Sequence, residues 1–384
     1  MKKLFTLLTV LFCFTAIQRI NAQDDEDKGE FSLSGSVDAY FRGNLNAKNS
    51  GDGYQAPGTS FANLPGFSLG MFNLIGTYEG EKGGFVADLA FGPRGEDAIF
   101  QSPYHSPGRG SSQIVNQLYV YYNVTDNLTL SLGNFNTYLG YELISPASNF
   151  NYSTSYMFSS GPFSHTGLKA DIAVSDDFTV MAAIMNPTDM TEFNPFGTYT
   201  MGLQFGLFGS TYLNFLYGDQ DGKIDKEQLP GAPLESAGST FQADLTTGFD
   251  LTDKFYLGVN ATYNTTSVGE SYDGSDVADL DGDGAGFYGA AAYLQLKTSE
   301  SFGIGTRIEY FNVFNGGSGI IALDPANGDG NVINVTLSGN AKIGNLTIIP
   351  EIRMDATSED TFLNNDLEPS SNLTSFVLAA VYSF

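Results

Sequence analysis

Chemistry in this chain would have to be built from few parts. It holds two histidines, His105 in "YHSPG" and His165 in "SHTG", and one cysteine, Cys13. A Ser-His-acid hydrolase needs its histidine beside a hydroxyl nucleophile and an orienting carboxylate. Both histidines have hydroxyls nearby in sequence, but both fall in irregular segments and no strand-borne partner is evident. His165 therefore reads as a donor that fixes a loop, and the chain as a protein that is not an enzyme. Zinc is disfavoured, because the histidines are not paired and Cys13 has no second thiol. "DLDGDG" sets Asp279, Asp281 and Asp283 at the spacing of the first half of an EF-hand calcium loop, with Gly284 at the turn. The position that should be Glu is Ala290, and "DQDGKID" adds only Asp219, Asp221 and Asp225. The favoured reading is a solvated acidic loop, with Ca²⁺ in an exposed loop as the alternative and no other cofactor expected.

Another group of charges has a more informative spacing. Lys169 and Asp171, Arg307 and Glu309, and Glu351, Arg353 and Asp355 recur two apart inside apolar runs. Residues two apart share one face of a β-strand. Phe302, Ile304, Ile308 and Tyr310 lie opposite Arg307 and Glu309, and Leu346, Ile348 and Ile352 lie opposite the third set. The same alternation runs through Phe31–Phe41, Phe241–Phe249, Phe255–Tyr263 and "SFVLAAVYSF" at the end, with no sustained 3.6-residue pattern. Sixteen such segments are read, the first near 31–41 and the last near 375–384. The second changes phase near Met71 and Phe72.

The connections alternate short and long. "EGEKGG", "NVTDN", "SDD", "FGS", "TDK", "TSES" and "IGN" are short, and the others are long and rich in Gly, Pro, Ser, Asn and Asp. A sandwich has no reason to keep that order. An all-β, transmembrane, antiparallel up-and-down barrel of about sixteen strands does, with short periplasmic turns and long extracellular loops. Loops near Gly53, Asp221, Asp281 and Asp329 are then external, and turns near Lys82, Asp176 and Lys254 periplasmic. The last strand, ending on Phe384, would close the sheet on the first so that no edge is left open. Its terminal aromatic also resembles the signal read by the outer-membrane barrel assembly machinery. Charges placed toward lipid would cost ~2–4 kcal/mol for a basic residue at the midplane. Lys169, Asp171, Arg307, Glu309, Glu351, Arg353 and Asp355 are therefore assigned to the lumen, as an ion-selecting lining or as a ladder bracing the wall.

Lys2 and Lys3 precede a mostly apolar run from Leu4 to Ile17, and Ala22 ends "INA". That is the layout of a signal peptide over residues 1–22, too short to span as a helix. An acidic periplasmic segment, 23–30, would follow, and then the barrel over 31–384. Loss of Lys2, Lys3 and Arg19 takes the formal charge from −26 to −29. Such acidity disfavours nucleic acid as a partner. The expected surroundings are outer-membrane lipid, lipopolysaccharide and small hydrophilic solutes, with a homotrimer as one assembly.

The longest connection, about Asn134 to Thr166, carries many aromatics and few charges, so packing into the barrel mouth would bury its rings. It contains a G-x-F-x-T-x-x-G-Y-E stretch at Gly133, Phe135, Thr137, Gly140, Tyr141 and Glu142. Pro146, Asn149, Tyr152, Ser153 and Ser155 follow, then a P-F-x-H-T-G exit at Pro162, Phe163, His165, Thr166 and Gly167. This pattern resembles the OmpL-like β-barrel porin family, as do the Arg-x-Glu at Arg307 and the Glu-x-Arg at Glu351. The resemblance implies a pore-forming outer-membrane protein and names no solute. The expected function is passive diffusion, cation-preferring, with the third loop as constriction at Tyr141, Glu142, Tyr152 and His165. A sugar- or oligopeptide-selective channel and a non-conducting adhesin barrel are the alternatives. Arg307 and Arg353 facing Glu142 across the channel would set up a transverse field.

Overall fold

The computed structural model describes residues 29–99, 111–194, 197–220, 239–267 and 284–384. The signal peptide read over 1–22, most of the acidic segment 23–30, and His105, Asp221, Asp225, Asp279, Asp281 and Asp283 lie outside the described residues.

Sixteen antiparallel strands close into one barrel in which chain neighbours are sheet neighbours. They are β1 (Glu30–Asn44), β2 (Gly66–Glu79), β3 (Gly83–Phe91), β4 (Val115–Thr125), β5 (Leu128–Asn136), β6 (Ser164–Ser175), β7 (Phe178–Met185) and β8 (Thr200–Leu207). The second half comprises β9 (Thr211–Asp219), β10 (Ser239–Thr252), β11 (Phe255–Thr266), β12 (Ala285–Lys297), β13 (Phe302–Phe314), β14 (Gly330–Ile343), β15 (Leu346–Thr357) and β16 (Asn372–Ser383). Every segment read from alternation is present, with ends shifted by a few residues. The third long loop is shorter than read, Thr137 to Phe163, because β5 and β6 extend into it.

Closure runs from Ser36↔Ser383 to Asn44↔Ser375. Phe384 completes it, exchanging backbone hydrogen bonds of 3.0 Å with Gly35 in both directions. Its ring stacks on Phe72 at 6.4 Å, so the terminal aromatic seals the seam.

Alternation sorts the side chains. In β13, Phe302, Ile304, Ile308 and Tyr310 are exposed on the outer face, while Arg307 and Glu309 between them are 0% and 1% exposed. The phase change in β2 is a β-bulge. Val37 pairs with Phe72 and Ala39 with Leu69, so Gly70 and Met71 together oppose Asp38. Asp38 Oδ1 accepts from the Met71 N–H at 3.0 Å, and a Cβ at position 70 would strike that carboxylate.

All short turns lie at one end and the long loops at the other. Between β8 and β9, Phe208 and Gly209 both take positive φ, 53° and 71°, which matches the right-handed twist of a two-stranded hairpin. Among the described residues, the long-loop end carries two short α-helices, α1 (Pro93–Ala98) and α2 (Tyr156–Ser160). It also carries a small ladder pairing Phe362–Leu363 with Pro369–Ser370, whose arms are too short for any period to reveal.

Candidate functional site

The third long loop does not stand above the barrel. It enters the lumen and follows the wall, strand by strand. At its start Gly133 takes φ 139°, where a Cβ would strike the Leu118 carbonyl, so the glycine of the motif lets β5 approach β4. Thr137 Oγ1 lies 3.0 Å from His165 Nε2, joining entry to exit. The Tyr138 hydroxyl donates to the Phe215 carbonyl on β9 at 2.8 Å, and the Gly140 N–H donates to Asp244 Oδ1 on β10 at 3.0 Å. The Tyr141 hydroxyl meets that of Tyr256 on β11 at 2.8 Å, and its ring stacks on Tyr293 of β12 at 4.1 Å. Next, Glu142 Oε1 accepts from Arg307 of β13 at 2.6 Å.

From Asn151 to Met157 the loop is held by charged wall residues. Glu351 accepts the N–H groups of Tyr152 and Ser153, at 2.8 and 3.1 Å. Glu309 accepts those of Tyr156 and Met157, at 3.0 and 2.8 Å, at the N-terminus of α2. There a carboxylate meets both orphan donors and the positive end of the turn. Arg307 donates to the carbonyls of Ser153 and Thr154, and Arg353 donates to that of Thr154 at 2.8 Å.

Sheet register explains why these groups act together. Arg307, Thr336 and Arg353 occupy one rung; Glu309, Asn334 and Asp355 the next; Ser338 and Glu351 the one on the other side. A basic rung thus lies between acidic ones, and Asp355 pairs Arg353 at 2.9 Å. Acids grip loop amides and bases grip loop carbonyls.

Loops from the same end close over the third. Arg94 of α1 donates to the carbonyls of Ile144 and Tyr152, at 2.8 and 3.2 Å, with its guanidinium 4.4 Å from the Phe61 ring centroid. Phe61 of the first loop packs with Phe158 and Phe163, and Arg353 also donates to Thr59. At the exit, Asp189 accepts from the Phe163 and Ser164 N–H groups at 2.8 and 2.9 Å. Burial pushes its carboxyl up to about 6.

The expected constriction residues divide accordingly. Tyr141 is half-buried and reaches open space, whereas Glu142, Tyr152 and His165 are 5%, 0% and 0% exposed, packed between loop and wall. The seven lumen charges all face inward, as their alternation required. Arg307, Glu309, Glu351, Arg353 and Asp355 are covered by the loop, and the Lys169–Asp171 pair at 3.1 Å faces open space. Arg307 touches Glu142, so no channel separates them to carry a transverse field. His165 has Thr137 at one ring nitrogen, and among the described residues no partner at Nδ1 and no acid that would orient it as a base. Among the described residues, no group of three or more His, Cys, Asp or Glu is arranged to hold a metal. Arg94, Asp189, Asp244 and Asp38, whose carboxylate accepts from the Tyr152 hydroxyl, were not anticipated as loop anchors.

What the loop leaves open is a cavity of about 710 Å³ along β4–β11, lined among others by Gln117, Tyr119, Lys169, Gln204, Tyr212 and Thr246. A second cavity of about 470 Å³ lies at the short-turn end beneath Pro146–Phe150. Tyr256 and Asp250 line both.

The family model described as "Putative beta-barrel porin-2, OmpL-like" matches residues 30–384. No curated protein sequence matches the chain. Among solved structures, the anion-selective porin from Comamonas acidovorans is similar with TM-score 0.55 and 9% identity, covering 93% of this chain and 100% of that one. A loop L8 deletion mutant of OmpT, an outer membrane protein of Vibrio cholerae, gives 0.53 and 11%, covering 93% and 99%. The outer membrane channel DcaP of Acinetobacter baumannii gives 0.52 and 11%, covering 93% and 97%. At these identities the likeness concerns the fold.

Proposed function

The chain belongs to the OmpL-like β-barrel porin family of the outer membrane, and on that premise we propose that it conducts small hydrophilic solutes by passive diffusion and prefers cations. The observation that carries this reading is the third loop laid along one side of the lumen, with a cavity of about 710 Å³ left along the other, which we take as the passage. The narrowest part is then bounded by Tyr138 and Tyr141 of the loop and by the β4–β11 wall. Glu142, Tyr152 and His165 act there indirectly, by holding the loop.

Cation preference follows from the formal charge of −26. An acidic surface above low-dielectric walls concentrates cations and repels anions. The buried charges add little field at the passage, since Glu142 and Asp355 are paired with arginines. Reversal potentials across a salt gradient test this in planar bilayers. We expect cation selectivity that is strong at 0.1 M salt, where the Debye length is ~10 Å, and weak at 1 M, where it is ~3 Å. Anion preference at low salt would reject it. We include in the proposal a homotrimer in lipid and lipopolysaccharide, delivered by the assembly machinery through the Phe384 strand. Calcium bound at Asp279, Asp281 and Asp283 would show as a chelator-sensitive change in that selectivity. No catalytic role is proposed.

A further inference from the structure

The open side of the lumen is furnished unlike the side that holds the loop. Five half-buried tyrosines line the passage: Tyr119, Tyr138, Tyr141, Tyr212 and Tyr256. Four of them rest against a wall glycine at an inward position. A Cβ at Gly202 would stand 2.7 Å from the Tyr138 hydroxyl and one at Gly258 2.5 Å from the Tyr141 hydroxyl, while one at Gly206 would meet Thr179 first and press on the Tyr212 ring at 3.2 Å. Gly248 makes room for Tyr256, the nearest neighbour of a Cβ there. A larger residue at Gly202, Gly248 or Gly258 would lift its ring off the wall. The glycines let them lie along it and border the lumen as fixed aromatic surfaces.

The rings are also locked. Tyr141 is stacked on Tyr293 and joined to Tyr256, and Tyr119 packs edge-on against Phe135 at 6.5 Å. Rigid aromatic surfaces lose little freedom when a ligand settles on them. Between them lie neutral donors and acceptors, the amides of Gln117 and Gln204 and the hydroxyl of Thr246. Of the charges, Lys169 and Asp171 neutralise each other, and Asp250 adds one exposed carboxylate. Among the described lining residues, Lys169 is the one basic side chain, so no basic cluster is offered to an anionic ligand.

We propose that this passage binds neutral oligosaccharides during their diffusion. The inference rests on the pore reading and assigns it a solute class. A pyranose ring has an apolar C–H face that stacks on tyrosine and a rim of hydroxyls that exchange hydrogen bonds with amides and hydroxyls. The lining supplies both along its length, and the volume falls within the range of small-ligand pockets, roughly 300–1,000 Å³. A zwitterionic peptide would need a free cation for its carboxylate, and the lining's Lys169 is already paired with Asp171.

The test is ion current through the full chain in a planar bilayer, titrated with maltohexaose. A polyethylene glycol of equal hydrodynamic size serves as the size control, and a neutral-terminus-free tripeptide such as trialanine as the peptide control. We expect saturable block by maltohexaose and only weak, unsaturable block by the polymer and the peptide. Tyr212→Ala and Tyr119→Ala should each raise the half-blocking concentration roughly threefold to tenfold, the equivalent of one lost ring contact. Tyr212→Phe should keep most of the affinity, and Gly248→Ala, whose Cβ displaces Tyr256, should lose it with every ring still present. Equal block by sugar and polymer, saturable block by the peptide alone, or tyrosine variants with unchanged affinity would overturn the proposal while leaving a conducting pore. Absence of any conductance would instead overturn the pore reading itself, and this inference with it.

Discussion

The two halves of the lumen wall use polar residues for opposite ends. On β13–β15, Arg307, Glu309, Glu351 and Arg353 are within 1% of complete burial, and each grips backbone of the third loop. On β4–β11, Asp244 also holds the loop, but the surface left open is mostly tyrosine, amide, hydroxyl and glycine, with one part-exposed ion pair and the Asp250 carboxylate. The first half spends its charge on holding a loop; the second presents a surface with few charges to whatever passes. Inward charge in a barrel is therefore no guide to a selectivity filter until it is known whether a loop covers it.

The largest effect should come from breaking the covered half. Arg307→Met leaves Glu142 buried without its cation and frees the Ser153 and Thr154 carbonyls. Removing one partner of a buried pair costs ~3–5 kcal/mol. The sheet keeps its backbone ladder, so the loss should appear as release of the loop. Limited proteolysis within residues 143–160 and a rise in single-channel conductance would report it. A variant as resistant to protease as the wild type, with unchanged conductance, would show that the covered charges hold nothing.

A smaller effect should come from Asp189, which fixes the loop's exit. Its carboxyl is raised from 3.8 to about 6 by burial, so the folded chain keeps a proton that the unfolded chain releases near pH 4. The fold binds more protons in that window, and the loop exit is most secure at acid pH. Stability falls as pH rises through about 4 to 6, by roughly 2–3 kcal/mol for a shift of this size. Protection factors at the Phe163 and Ser164 amides, with the base-catalysed intrinsic exchange rate divided out, should fall across that range in wild type. In Asp189→Asn the amide carbonyl can still accept both N–H groups, and the pH dependence should vanish. Persistence of the same slope in the variant would assign it elsewhere.

The fold was legible in the sequence because lipid on one side and a packed lumen on the other impose alternation at nearly every residue. Even the bulge at Asp38 left its mark, as the phase break at Met71 and Phe72. The inward insertion of the third loop was legible in its aromatic content. Its attachment was not, because the partners are far apart in sequence: Arg307 and Glu142 are separated by 165 positions. Two-residue spacing placed Arg307 and Glu309 inward but could not tell an ion lining from an anchor. Arg94 gave no sign at all, since a lone arginine in an irregular segment reads as surface. The glycine seats escaped for a related reason. Gly202 and Gly206 could be assigned inward beside Gln204, but Tyr138, which rests on the first, comes from a distant loop.

The smallest effect sharpens the contrast from the open half. Lys169 and Asp171 lie 3.1 Å apart with side chains 24% and 44% exposed, so solvent and salt screen them. Such a pair contributes ~0–1 kcal/mol. Lys169→Met should therefore leave protease resistance and thermal stability as in wild type, where Arg307→Met does not. Its effect belongs to conduction. Removal of the ammonium leaves the Asp171 carboxylate uncompensated on the passage, and one added negative charge raises the local concentration of cations. Reversal potentials should move further toward cation selectivity at 0.1 M salt and return to the wild-type value at 1 M, as the screening length shortens from ~10 to ~3 Å. The double variant Lys169→Met with Asp171→Asn should restore wild-type selectivity at both salts, because it restores neutrality without restoring the pair. A shift in the double variant equal to that in the single would mean that the lysine acts through packing on Phe135, whose ring centroid lies 5.3 Å from its ammonium, and that the two halves of the wall differ less than their burial suggests.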